Sequence, residues 1–258
     1  MLEMFRPFGR VNQLWKKAIA AFWVVVAVVA WSYPPEFLYF VPSPQAVWDK
    51  FVFLYEVGLI EDLLVSLKVI FQAGLIALPV GALLAYLYEC EFFKPPIVLI
   101  AGLSNLGPLA VIAACLYMGF SGMEVKVYTM TFVILVYFVS ALLQNRPTQD
   151  DLDLARTMNM TPWETLWHVT IRGRLYDTLK TFVPNLAMGW AMLSVVEGAN
   201  RDAGGLGDVM LKQDKISSMA GIAVISAISL VFGLLIRYSI TKLIDWRFPA
   251  AAKMNVRG

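Results

Sequence analysis

The chain is 258 residues long, 59% hydrophobic and only 16% charged, with a formal net charge of +2; soluble domains average about 45–50% apolar and about 25% charged residues. That composition places the chain in a lipid bilayer, and a balance so near zero without a basic run gives no sign of a nucleic-acid partner. With a single histidine, His168, and two cysteines, Cys90 and Cys115, at no metal or redox spacing, imidazole clusters are excluded, both thiols read as packing residues, and neither metal nor cofactor is expected.

Taken in order, residues 1–17 carry Arg6, Arg10, Lys16 and Lys17 and form a polar N-terminal segment ahead of a membrane domain over 18–258. Ala18 to Tyr33 is apolar and reads as a first transmembrane helix, slightly short of the about 20 residues that span a bilayer. A cleaved signal peptide is the competing reading, with Val28-Val29-Ala30 as the cleavage site. A connector with Pro34, Pro35, Pro42 and Pro44 follows, then a helix over Gln45 to Tyr55 whose Val47, Phe51 and Leu54 recur at helical spacing and favour a position along the membrane surface.

Further spans are expected over Leu63 to Tyr88, Pro95 to Met118, Val125 to Leu143, Leu175 to Val196 and Met219 to Ile244. The fold class is therefore all-α, a polytopic membrane protein with six transmembrane helices. Spans two, three and five hold Pro79, Pro108 and Pro184, each of which frees a carbonyl that a neighbouring helix or a cavity must satisfy. Polar side chains at membrane depth are costly unless they face a cavity or a partner, so Asn105, Asn185 and Glu197 are candidates for a solute path. Lys68 and Lys126, near the outer ends of their spans, either attract a small anion or snorkel to headgroups. Gly204-Gly205-Leu206-Gly207 has no preceding soluble strand, so it reads as a plain turn rather than a phosphate cradle.

Residues 145–174 are the longest polar interruption. Thr148 and Asp151 stand as N-cap and N3 of a short helix, and Asn159 suits the left-handed residue that closes it. Thr161-Pro162-Trp163-Glu164 opens a second helix with a cap, a proline at its first position and a glutamate reaching back. Trp163, Leu166, Trp167 and Thr170 form one largely apolar face that must be buried against something. Of the 21 Lys and Arg residues, only Lys50, Lys68, Lys126, Arg201, Lys212 and Lys215 fall on the side opposite this loop and the termini, so loop and termini are cytoplasmic.

This loop resembles the cytoplasmic EAA loop of binding-protein-dependent ABC permeases, whose pattern is an acidic residue, two small residues, a glycine four positions on and a later Leu-Pro. Asp153-Leu154-Ala155 matches the opening, Asn159 replaces the glycine, and Ile171-Arg172-Gly173 stands where the Leu-Pro is usual. Ala155-Arg156-Thr157, Thr161-Pro162-Trp163 and Trp167-His168-Val169 are similar to the nitrate, sulfonate and taurine branch, as are Val41-Pro42-Ser43-Pro44, Gly119-Phe120-Ser121-Gly122 and Glu197 with Gly204 to Gly207. The resemblance covers roughly residues 40 to 245. It implies a transmembrane subunit of an importer in the cytoplasmic membrane, acting as a homodimer with two ABC ATPase subunits and an external substrate-binding protein, on a small oxyanion such as nitrate, a sulfonate or bicarbonate. It also implies that Asp153, Ala155, Asn159, Thr161, Pro162, Trp163 and Glu164 form the ATPase-coupling surface. No Walker-type loop occurs in the sequence, so the chain is expected to be no enzyme, with ATP hydrolysis in the separate subunit. Competing readings are a membrane scaffold or intramembrane enzyme whose loop recruits another partner, and a permease that keeps the fold without transport.

Overall fold

A computed structural model of the chain describes residues 13–32 and 41–251, which contain helices and turns and no strand. In chain order the helices are α1 (Gln13–Ser32), α2 (Pro44–Val57), α3 (Leu59–Leu87), α4 (Lys94–Gly102), α5 (Pro108–Tyr117), α6 (Gly122–Gln144), α7 (Gln149–Thr157), α8 (Pro162–Thr165), α9 (Leu175–Ala199), α10 (Leu206–Lys215) and α11 (Met219–Arg247). Among the described residues, α3, α6, α9 and α11 are each long and apolar enough to cross a membrane, and the bent pair α4–α5 makes a fifth candidate. Helix α1 covers the first apolar stretch over 20 residues and donates from Trp31 Nε1 to the Pro42 carbonyl at 2.9 Å. Tyr33 and the prolines Pro34 and Pro35 of the connector lie outside the described residues.

The third expected span is not one continuous helix. It runs through α4 and a 3-10 turn at Leu103–Asn105, breaks, and resumes in α5 at an angle of 112°. Two causes coincide at the break. Pro108 has no N–H to continue a helix, and its ring drives the preceding residue out of the helical region, where Gly107 sits extended at φ −66°, ψ 152°. By contrast Pro79 and Pro184 lie inside the long helices α3 and α9, which continue past them.

The core is a bundle in which α3 packs on α6, α6 on α9, and α9 on α10 and α11, with α2 laid against α11. Along α3 the residues Ser66, Ile70, Ala73, Ala77 and Gly81 recur every three to four positions and are all buried. Between lipid-soluble helices there is little hydrophobic driving force, so close approach of small residues supplies the packing. At Gly81 a Cβ would stand 2.6 Å from the Phe138 ring, and at Gly189 the same distance from Ile134. Phe138 in turn meets Phe182 edge-on at 5.1 Å between centroids. The outward flanks keep Leu64, Phe71, Leu75, Leu83, Leu230 and Leu234 exposed, as expected of helices against hydrocarbon. Gly81→Val therefore overpacks the α3–α6 contact and is expected to lower stability by about 1–3 kcal/mol, read as an earlier unfolding midpoint in detergent.

A second, smaller cluster forms at the loop end of the bundle from Tyr176, Val183 and Ile244. There Asp245 accepts from Tyr176 Oη at 3.0 Å and pairs with Lys180 at 2.7 Å, joining the foot of α9 to the end of α11.

Candidate functional site

The loop 145–174 folds as two short helical segments around a tight corner, and each boundary is set by local chemistry. Thr148 Oγ1 accepts from the Asp151 N–H at 3.3 Å while Asp151 Oδ2 accepts from the Thr148 N–H at 2.9 Å. Thr161 and Glu164 repeat the arrangement at 3.3 and 2.8 Å, with Pro162 at the first helical position. Both are reciprocal capping boxes. Between them Asn159 adopts the left-handed conformation at φ 57°. Its N–H donates to the Arg156 carbonyl at 2.9 Å and that of Met160 to the Ala155 carbonyl at 3.1 Å, the pair of bonds that closes a helix in the Schellman manner.

Beyond α8 the chain winds as a π-helix over Leu166–Arg172, and the Gly173 N–H donates to the His168 carbonyl at 3.0 Å. This winding splits the apolar face expected of the second helix. Leu166 is half-buried and Thr170 buried, while Trp163 and Trp167 remain 73% and 53% exposed. Leu154 of α7 and Met158, which caps it, are exposed on the same two-helix element, which therefore carries four large apolar side chains into solvent. Ala155, expected to lie at the surface as a point of close approach, is only 2% exposed: its place is inside the corner, where the Met160 N–H reaches its carbonyl. Asp153 is exposed and pairs with Arg156 at 2.9 Å.

The Thr148 donors hold the Asp151 carboxyl below the usual carboxylate range, and those of Thr161 do the same for Glu164. A carboxylate whose pKa is depressed on folding stabilises the fold above its unfolded pKa and ceases to do so as the pH falls through its folded one. Both segments are accordingly expected to fray on acidification below the ordinary carboxylate range. Hydrogen exchange over 145–174, corrected for intrinsic rates, reads this, and Glu164→Gln should flatten the response of the second segment.

At the opposite end of α9 a buried polar network surrounds Gly204 to Gly207. Glu197 accepts from Ser66 Oγ at 2.7 and 2.9 Å and from the Gly207 N–H at 2.9 Å, and Ser66 Oγ accepts from the Leu206 N–H at 2.9 Å. Asp62 accepts from the Gly205 N–H at 2.8 Å, the Lys126 ammonium donates to the Gly204 carbonyl, and Asn200 donates to the Gly122 carbonyl at 3.1 Å. Ser66, Lys126 and Glu197 are all fully buried. The turn is thus an anchor tying α3, α6 and α9 to α10, and its glycines are steric requirements: Gly204 and Gly205 have φ of 67° and 110°, and a Cβ on Gly204 would meet Asp62 at 2.8 Å. On α10, Lys212 pairs with Asp208 at 2.8 Å, which raises the lysine above its ordinary value.

Of the residues expected along a solute path, Glu197 and Lys126 meet in this anchor. Lys68 and Asn105 are exposed, Asn105 on the 3-10 turn before the break. Asn185 is half-buried, donates to the Thr181 carbonyl at 2.7 Å, and lines a different cleft at the foot of α9 without the other four. Sequence reasoning missed Asp62, Ser66 and Asn200; a serine at position 66 amid an apolar run was the available signal. Among the described residues no group of three or more His, Cys, Asp or Glu side chains is arranged to hold a metal ion. No model of a known protein family matches the chain, and no curated protein matches it.

Proposed function

We propose that the chain is the membrane-spanning subunit of an ATP-driven importer, with α1 as a sixth span, both termini in the cytoplasm and the 145–174 loop as its contact with an ATP-hydrolysing partner. The observation that carries this reading is the loop itself: a doubly capped corner, fixed between the membrane-length helices α6 and α9, that presents Leu154, Met158, Trp163 and Trp167 to solvent. Four large apolar side chains on a rigid two-helix element suit insertion into a groove on a soluble protein, where aromatic anchors supply most of the binding energy. Because the corner runs through α8 and the π-helix into α9, a push on the loop is delivered to the helix that carries Pro184, Asn185 and Glu197. The resemblance set out above agrees, and adds a second copy of the chain, an external binding protein and a small oxyanion solute.

The test is ATP hydrolysis by the complex in lipid nanodiscs, with the chain co-expressed with a candidate ABC ATPase subunit and supplied with a candidate binding protein loaded with nitrate, a sulfonate or bicarbonate. Stimulation by one loaded binding protein supports the importer and names its solute. Failure of the chain to retain any ATPase subunit overturns the reading.

A further inference from the structure

We propose that the cleft at the foot of α9 binds a phosphate-type oxyanion, seated on Arg174. The cleft, of about 580 Å³, opens between the end of α6 and the first turns of α9. Asn145, Arg174, Asp177, Lys180, Thr181 and Asn185 supply its polar lining.

Its cations differ in how they are satisfied. Lys180 is compensated by Asp245, which Tyr176 also holds. Arg174 is not: its Nε lies 4.0 Å from Asp177, at the limit of an ion pair, and its Nη1 is buried without an acceptor among the described residues. The side chain as a whole is 27% exposed and lines the cleft, and a tetrahedral oxyanion there can take two parallel guanidinium N–H groups at once. Thr181 and Asn145 add polar groups to the lining.

Position supports the same ligand. Arg174 immediately precedes α9, one of the helices long enough to cross a membrane, so the cleft lies near the boundary between hydrocarbon and water. Headgroup phosphates are concentrated at that level, and basic pockets between spanning helices take them. A free phosphate reaching the cleft from solution offers the same chemistry. The inference needs only the membrane placement of α9 and stands whether or not the loop docks on an ATPase.

The test uses the full-length protein and three variants: Arg174→Gln, Asn145→Asp, which places a carboxylate in the lining of the cleft, and Arg172→Gln, which removes an exposed charge at the same level outside it. Native mass spectrometry after detergent exchange counts retained phosphatidylglycerol against a phosphate-free glycolipid with the same acyl chains. In parallel, lipid-stripped protein is titrated with inorganic phosphate and its unfolding temperature followed. If the occupant is a headgroup, phospholipid retention falls about fivefold in Arg174→Gln and in Asn145→Asp, the worth of one basic residue against an anionic surface, and stays unchanged in Arg172→Gln. If it is free oxyanion, phosphate raises the unfolding temperature of the wild type and of Arg172→Gln but not of the two cleft variants. Should Arg174→Gln fail to fold, Arg174→Lys and Asn145→Asp carry the comparison. Equal phospholipid retention in all proteins, together with no phosphate response that depends on the cleft, overturns the proposal.

Discussion

Glu197→Ala is expected to cost about 3–5 kcal/mol of stability, because it strips acceptors from a buried Ser66 hydroxyl and a buried Gly207 N–H at once and each hydrogen bond to a charged group is worth about 1.5–3 kcal/mol. The loss should appear as a lower unfolding midpoint in detergent and as faster amide exchange at Leu206 and Gly207. Glu197→Gln should cost less, since its carbonyl oxygen can still accept from Gly207 while its amide turns toward Ser66. Ser66 and Glu197 share a bond, so combining Ser66→Ala with Glu197→Ala is expected to cost less than the two single changes added together. An unchanged midpoint in Glu197→Ala would mean that the anchor does not hold α10 to the bundle.

That anchor also marks where sequence reasoning stopped. The two capping boxes and the left-handed Asn159 were legible because each is decided within four residues by groups that can only bond locally. The Ser66–Glu197 bond joins positions 131 residues apart, and nothing near either residue announces it. For the same reason Gly204 to Gly207 read as an ordinary turn: the glycines are required by Asp62 and Glu197, which reach them from other helices. The break between α4 and α5 had its signal in Gly107-Pro108, yet a hydropathy window sums apolar character without regard to direction and counts a bend of 112° as one span. The π winding after Thr165 left no sequence signal, and it shifts the register of Trp167 and Thr170 relative to the turn that carries Trp163.

Exposure makes Trp163 the residue on which the loop's role turns. Trp163→Ala is expected to weaken retention of the ATPase subunit at least 30-fold, since a buried aromatic anchor at the centre of an interface contributes about 2 kcal/mol or more. The same change should leave the isolated chain's unfolding midpoint nearly unmoved, because the side chain is 73% exposed and makes no core contact. Trp167→Ala should act in the same direction, and the pair together should abolish co-purification. Ala155→Glu is a poorer probe of the same surface: with Ala155 buried in the corner, a carboxylate there would disrupt the Schellman closure and confound folding with docking. The discriminating result is therefore the split between the two readouts. Lost association with an intact midpoint assigns Trp163 to a partner's groove, whereas a fall in both would mean that the ring packs on the protein's own surface and that the corner is a structural element of the membrane bundle.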